Sequence, residues 1–150
     1  MLVQARPSDL PQINSLWCAP ENARWIEPPD AGEIEAAIDA GSAFLWRPGA
    51  FVQGFAVAMT WVPRVYGLSA IGCPTGQGRP FLRAVLAQVF GPLNGHRIGL
   101  DVTTDNARAI RLYESLGFQR EGHIRECWQR PGGDWTDCYL YGLLARDWTP

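Results

Sequence analysis

The most regular hydrophobic pattern in the chain lies between residues 106 and 118. Apolar side chains recur there at positions i, i+3, i+4 and i+7, namely Ala109, Leu112, Tyr113 and Leu116. This spacing predicts one buried stripe on an amphipathic helix. Asp105 precedes the pattern, where its carboxylate can accept hydrogen bonds from the first helical turn, and Gly117 can take the left-handed conformation that ends a helix. We therefore predict a helix between Asp105 and Gly117.

Similar patterns predict the other elements. Helical stripes follow Asp9 and cover residues 33–40 and 81–90, and runs of aromatic and aliphatic residues predict strands at 2–6, 42–46, 51–61, 65–72, 96–102, 119–128 and 135–144. The run from 65 to 102 is strand, glycine loop, helix and strand. Such an order predicts a parallel β-α-β crossover.

Composition narrows the classes of function. The chain has 150 residues, which fits a single domain over residues 1–150, and a net charge of -2, with Arg supplying all 13 basic residues. This balance of charges does not indicate a surface that binds nucleic acid or an anionic membrane. We therefore expect small molecules or proteins as partners. The apolar runs are too short to cross a bilayer, and Arg6 and Asp9 interrupt the N-terminus. We therefore expect a cytoplasmic protein.

The cysteines and histidines form no recognisable metal or redox motif. The chain has no C-x-x-C pair, and the two histidines, His96 and His123, share no ligand spacing with any cysteine. The four cysteines are Cys18, Cys73, Cys127 and Cys138. We predict four free, buried thiols in preference to a disulfide or a zinc site, and we expect no metal.

A glycine loop precedes the predicted helix at residues 81–90. It reads Gly76-Gln77-Gly78-Arg79-Pro80. Free N–H groups and the helix dipole meet at such a position, which is the arrangement that binds a pyrophosphate. Pro80 is compatible with a first helical turn, where its missing N–H would have no helical partner. A simple tight turn is the alternative interpretation.

The run LDVTTDNARAIRLYESLGF, residues 100–118, resembles the signature of the GNAT acetyltransferases. The resemblance implies that Asn106 contacts the pantetheine arm of acetyl-CoA and that Tyr113 is the general acid beside the thioester sulfur. It also implies that backbone N–H groups near Gly72 polarise the thioester carbonyl and that the glycine loop binds the pyrophosphate. The implied cofactor-binding residues are Ile71, Gly72, Cys73, Gly76, Gln77, Gly78, Arg79, Pro80, Asn106, Ala109 and Tyr113.

The same resemblance implies the fold and the reaction. The fold is one α+β domain with a mixed, mostly antiparallel sheet of about seven strands, about four helices and an opening near Gly76. The reaction is direct transfer of acetyl from acetyl-CoA to a primary amine in a ternary complex, where the amine is a protein N-terminus or a small molecule. The end of the chain resembles the GNAT branch that includes enzymes acetylating the N-termini of ribosomal proteins, through Gly133-Asp134-Trp135-Thr136-Asp137 with Leu143, Leu144 and Trp148. A homodimer is left open.

The chain departs from the family pattern at several positions. Thr75 stands where a basic or amide residue is usual, Pro80 replaces a small residue, and no carboxylate occurs between Asp39 and Asp101. The candidates for the general base are therefore Glu27, His123 or a chain of water molecules. Trp25, Glu27 and Asp30 belong to a loop that lies on the acceptor side in the family, where they could contact an amine. The alternative is a catalytically silent module of the same fold that binds CoA or a protein.

Overall fold

A computed structural model describes all 150 residues. Its strands are β1 (Leu2–Gln4), β2 (Ala43–Trp46), β3 (Gly54–Val62), β4 (Val65–Gly72), β5 (Arg97–Thr103), β6 (Gln119–Gln129) and β7 (Trp135–Leu144). They form one mixed sheet in the order β1-β2-β3-β4-β5-β7-β6. Only β4 and β5 pair in parallel, and the other neighbours are antiparallel. The predicted fold class and the parallel pairing are confirmed.

Four α-helices cover the two faces of the sheet. They are α1 (Leu10–Trp17), α2 (Glu33–Asp39), α3 (Gly78–Phe90) and α4 (Ala107–Ser115). Helices α1 and α2 enclose a core of 11 buried residues, in which Trp17 stacks on Phe55 at 5.3 Å between ring centroids. A second core of 18 buried residues lies beneath α3 and α4. None of the four helices is long and apolar enough to span a lipid bilayer.

The parallel pair is short, and this opens the sheet. Strands β4 and β5 are paired only from Val65 opposite Arg97 to Leu68 opposite Leu100. Beyond that point β4 continues to Gly72 with β3 alone, while β5 continues to its end with β7 alone. The predicted opening near the glycine loop is thus present.

Three glycines form a row across the middle of the sheet. Gly67 on β4 lies opposite Gly99 on β5, and Gly99 lies opposite Gly142 on β7. The Trp61 indole lies over Gly67, and a Cβ atom added at Gly142 would lie 2.5 Å from the Arg97 guanidinium. Because these glycines carry no side chain, Trp61 and Arg97 lie flat on the sheet.

The beginning of α4 differs from the prediction. Asn106 caps the helix, since its Oδ1 accepts a hydrogen bond from the Ala109 N–H at 3.2 Å. Asp105 is instead bonded to Arg24 and Arg130. The prediction that Asp105 caps α4 is wrong, because two arginines distant in sequence take its carboxylate. Gly117 has φ of 94°, which confirms the predicted left-handed end.

The cysteine prediction is also wrong in part. Cys127 and Cys138 form a disulfide between β6 and β7, with 6.1 Å between their Cα atoms. The register of β6 shifts between Ile124 and Trp128, and this bulge brings Cys127 beside Cys138. Cys18 is free and exposed, whereas Cys73 is free and partly buried. The sequence did not reveal the pairing because it does not contain the register of the hairpin.

Candidate active site

A cavity lies where β4 and β5 part. One wall is the end of β4, from Ser69 to Gly72, and the opposite wall is the end of β5, from Asp101 to Thr103. The first turns of α4 and the loop between α1 and α2 add further walls, as does the β6–β7 hairpin near Trp128. Unpaired strand ends leave backbone groups and side chains of both strands facing the same space.

Tyr113 lies on the buried side of this cavity. It belongs to α4, is 7% exposed, and packs against Phe118 and Tyr141 at ring distances of 5.8 and 6.3 Å. Burial raises the pKa of its hydroxyl, and the negative charge of Asp101 raises that pKa further. The hydroxyl therefore carries its proton at neutral pH and can donate it.

Asp101 is a cavity residue that the sequence reasoning missed. The residue as a whole is exposed on the open side of β5. The protein around its carboxyl group nevertheless raises the pKa of that group by burial. A raised pKa brings a carboxylate closer to the range in which it can accept a proton and give it up again. The available signal was a lone carboxylate between Leu100 and Val102, which are buried on the opposite face of the strand.

Cys73 also lines the cavity, but its surroundings suppress its reactivity. Burial raises the pKa of its thiol to about 11, and the nearby charge of Arg108 only partly opposes this effect. Since the thiolate is the nucleophilic form, a thiol with so high a pKa is unreactive at neutral pH. Cys73 therefore contributes shape and not a covalent step.

The glycine loop meets the cavity at the N-terminus of α3. Gly76 has φ of 88°, a conformation that side chains rarely adopt. A Cβ atom added to Gly78 would lie 2.6 Å from the Cδ2 atom of Leu112, so Gly78 allows α3 and α4 to approach each other closely. No side chain caps the first turn of α3. Its free N–H groups suit an anion, although Pro80 contributes none.

Two arginines near the loop have different surroundings. The Arg79 guanidinium donates to Ser115 Oγ on α4 at 2.7 Å and does not line the cavity. Arg108, in the first turn of α4, lines the cavity and approaches Thr75 Oγ1 at 3.4 Å. The cation beside the loop is therefore Arg108, which the sequence reasoning did not single out. The presence of an arginine just after Asn106 was the available signal.

The structure brings most predicted site residues to the cavity. Those that line it are Glu27, Ile71, Gly72, Cys73, Gly78, Asn106, Ala109 and Tyr113. Those that do not are Gly76, Gln77, Arg79, Pro80 and His123. His123 lies on an exposed part of β6, where its Nε2 atom is 2.7 Å from Asp137 Oδ2.

The loop between α1 and α2 gives the other end of the cavity an acidic character. Glu21, Glu27 and Asp30 all line the cavity and make no ion pair. The Trp17 indole N–H donates to the Glu27 carbonyl at 2.8 Å, which ties this part of the loop to α1. Unpaired carboxylates beside aromatic rings favour a cationic group.

Comparison with known proteins supports the fold and a common origin. No protein-family model matches the chain. The chain is 34% identical over 74 residues to spermidine N(1)-acetyltransferase of Vibrio cholerae, an alignment that covers 47% of this chain and 43% of that protein. It is 38% identical over 73 residues to N-alpha-acetyltransferase RimI of Mycobacterium tuberculosis, covering 48% and 46%. The aligned part spans less than half the length of either relative.

The structural similarity extends over nearly the whole chain. The crystal structure of spermidine N-acetyltransferase from Vibrio cholerae in complex with CoA and spermine superposes with a TM-score of 0.82 and 22% identity. The superposition covers 98% of this chain and 96% of that one. The fold of the whole chain is thus similar to that of a known N-acetyltransferase, and about half of its sequence is similar to those of the two N-acetyltransferases named above.

Proposed function

We propose that the protein is an N-acetyltransferase that moves acetyl from acetyl-CoA to a primary amine by direct transfer in a ternary complex. The observation that carries this proposal is the cavity between β4 and β5, which is lined by both Tyr113 and Asp101. Its two ends differ in charge, with Arg108 near the glycine loop and unpaired carboxylates near the α1–α2 loop. The relatives named above are acetyltransferases, which is consistent with the proposal.

Acetyl-CoA is assigned to the side of α3 and α4. The free N–H groups at the start of α3 would bind the pyrophosphate together with the Arg108 guanidinium, which is a charge-assisted contact. The pantetheine arm would then follow α4 past Asn106 and Ala109, which line the cavity. Arg108 thus takes the role that the sequence analysis gave to Arg79. No metal takes part in this proposal.

The chemistry uses the two proton-bearing side chains in opposite senses. The neutral amine attacks the thioester carbonyl carbon, and its excess proton passes to the Asp101 carboxylate, directly or through water. When the tetrahedral intermediate collapses, the C–S bond breaks and the Tyr113 hydroxyl protonates the departing CoA thiolate. The proton on Asp101 returns to the Tyr113 oxygen through solvent, so the products are the acetamide and CoA with its free thiol. Backbone N–H groups near Gly72 would stabilise the intermediate oxyanion.

The acceptor is assigned to the acidic end of the cavity. Glu21, Glu27 and Asp30 would attract an amine that is cationic before it loses its proton. The relatives named above include an enzyme for spermidine and an N-alpha-acetyltransferase, so both small amines and protein N-termini are tested. A catalytically silent binding module is the alternative, and the same assay distinguishes it.

The proposal is tested by two measurements on the unaltered protein. Acetyl-CoA at a hundredfold excess over its dissociation constant should add about 2.7 kcal/mol to the free energy of unfolding, which raises the melting temperature. Desulfo-CoA should act similarly, because the phosphates supply the contact. Release of free thiol should then accompany acetylation of a polyamine or an N-terminal peptide. Stabilisation without any thiol release would favour the silent module. If acetyl-CoA neither stabilises the protein nor gives thiol release, both functions are refuted.

The proposal also covers domain extent, assembly and location. We assign residues 1–150 to one catalytic domain, because the sheet takes its strands from Leu2 to Leu144. A homodimer stays a prediction that sedimentation tests.

A cytoplasmic location stays a prediction as well. The Cys127–Cys138 disulfide argues against it, because disulfides are rare in cytosolic proteins. Alkylation of the thiols in intact cells measures the state of this pair.

A further inference from the structure

Arg130 joins three segments that are far apart in sequence. Its guanidinium donates two parallel hydrogen bonds to the Asp105 carboxylate, at 3.0 and 2.6 Å, in the connection between β5 and α4. Its Nε atom donates to the Arg24 carbonyl at 3.2 Å, in the loop between α1 and α2. Arg130 itself lies at the end of the β6–β7 hairpin. Its side chain is only 13% exposed, so this connection is partly shielded from water.

The loop side of this junction has two further contacts. The Arg24 side chain reaches the same carboxylate, with Nη2 3.1 Å from Asp105 Oδ2. The Trp25 ring lies near both guanidinium groups, 5.2 Å from Arg24 and 5.8 Å from Arg130. Trp25 is also a cavity residue, as are the neighbouring Ile26 and Glu27. The contacts that end on Arg24 and Trp25 therefore hold a segment that forms the acidic end of the cavity.

Apart from the two ion pairs on Asp105, no ion pair in the protein reaches the α1–α2 loop. The remaining ion pairs join Arg97 to Glu121, Arg120 to Glu114, His123 to Asp137 and Arg146 to Asp147. A bidentate arginine fixes both the distance and the direction of its partner, whereas a single ammonium group fixes only the distance. Arg130 is thus placed to determine where the loop stands relative to α4.

We propose that Arg130 is a positioning residue for the acceptor amine: its fork to Asp105 and its bond to the Arg24 carbonyl hold the α1–α2 loop in the conformation that binds the acceptor. This inference rests on the proposed function and adds a residue that does not touch either substrate. Loss of the fork should weaken acceptor binding while leaving acetyl-CoA binding at the other end of the cavity unchanged.

The sequence provides a specific probe of the loop. The chain contains no Lys, and Arg24 is the only Arg between Arg6 and Arg47, both of which are followed by Pro and so resist trypsin. Brief digestion of the native protein therefore reports opening of the loop through one cut, after Arg24. Arg130 is also followed by a proline, Pro131, so replacing it removes no site that trypsin cuts efficiently.

The experiment compares Arg130→Gln with the unaltered protein. Cleavage after Arg24 should become about tenfold faster or more, because a locally opened segment is cut in proportion to its population. The KM for the acceptor found in the amine panel should rise about tenfold, since misplacement of a binding loop weakens positioning. The dissociation constant of acetyl-CoA should stay within about twofold, as expected for a distant site.

Three further variants make the result decisive. Arg125→Gln, on the same hairpin but without a contact to the loop, is the matched control for charge. It should change neither the rate of cleavage after Arg24 nor the KM for the acceptor. Arg130→Lys keeps the charge without the fork and should resemble Arg130→Gln. Asp105→Asn should accelerate cleavage after Arg24 in the same way, and adding Arg130→Gln to it should produce little more. A melting temperature is recorded for each variant.

The outcomes separate this inference from the proposed function. If Arg130→Gln is folded and cleaved after Arg24 no faster than the unaltered protein, the inference is wrong. Faster cleavage with an unchanged acceptor KM would also overturn it, because the loop would then be held for stability alone. If the unaltered protein acetylates no amine, the proposed function fails, while the cleavage rates still decide whether Arg130 holds the loop.

Discussion

The Asp101 carboxylate and the Tyr113 hydroxyl face the same cavity, and the negative charge of Asp101 raises the pKa of Tyr113. One residue comes from the open end of β5 and the other from the buried stripe of α4. Burial raises the pKa of both groups, which keeps the proton on Tyr113 and brings the Asp101 carboxylate closer to the range in which it can accept one. Two groups tuned in this way can serve as the acid and the base of one reaction.

Tyr113→Phe should abolish most turnover with little effect on folding. The ring and its packing are kept, so CoA affinity should fall by no more than one hydrogen bond, about 0.5–1.5 kcal/mol. Positioned proton transfer contributes about 10²- to 10⁴-fold to a rate, so single-turnover acetylation should slow by that factor. Turnover near that of the unaltered protein, at an unchanged melting temperature, would mean that water protonates the thiolate.

Asp101→Asn should remove the acidic limb of the pH–rate profile. Because burial raises the pKa of Asp101, the basic form is lost at a pH above the ordinary value of about 3.9. In the unaltered protein, kcat/KM should therefore decline as pH falls through that raised pKa. Glu27→Gln, which removes another cavity carboxylate, is the matched control. A limb that vanishes in the Glu27 variant and persists in the Asp101 variant would assign the base to Glu27.

Arg108→Gln should weaken acetyl-CoA binding more than any other single change of an arginine near the glycine loop. A hydrogen bond to a charged group is worth about 1.5–3 kcal/mol, which corresponds to about a 10- to 150-fold rise in the dissociation constant. Arg111→Gln on the same helix is the control for charge. Arg79→Gln tests the role first predicted for that residue, and a larger effect there than at Arg108 would reverse the assignment. Calorimetric titration measures all three.

Asp105 should make the free energy of unfolding depend on pH in the acidic range. The hydrogen bonds from Arg130 lower its pKa to about 2. The stabilisation is therefore complete above the unfolded value of about 3.9 and is lost as pH falls through the folded value. Urea unfolding of Asp105→Asn should show a lower midpoint than the unaltered protein at about pH 6, and the difference should shrink near pH 2.5. Asp134→Asn, which removes a carboxyl group from the exposed hairpin turn, is the matched control variant.

The disulfide should stabilise the β6–β7 hairpin. Cys127 and Cys138 are separated by 11 positions, and closing so short a loop contributes about 2–3 kcal/mol. A reducing agent should therefore lower the melting temperature of the unaltered protein and leave that of Cys127→Ser unchanged. Equal melting temperatures with and without reductant would show that the bond adds nothing.

Local patterns predicted the fold well because each element carries its own signal. The apolar stripe of α4 and the glycine that ends it are properties of neighbouring residues, and the sequence located both. The disulfide and the partners of Asp105 depend on strand register and on contacts across more than twenty residues. The periodic pattern of apolar residues contains neither the strand register nor these long-range contacts. Asp101 was missed for a related reason, because its importance comes from the place where β4 and β5 stop pairing.

The row of Gly67, Gly99 and Gly142 leaves bare backbone on one face of the sheet, so that the side chain covering this row can be replaced without loss of core packing. Trp61, which is 64% exposed, covers part of this row and lines the cavity without belonging to either hydrophobic core. Replacing Trp61 by a smaller residue would uncover bare backbone and deepen the cavity, and no buried packing would be lost. The range of molecules that fit could thus diversify through one exposed position, while the two cores that determine stability stay as they are.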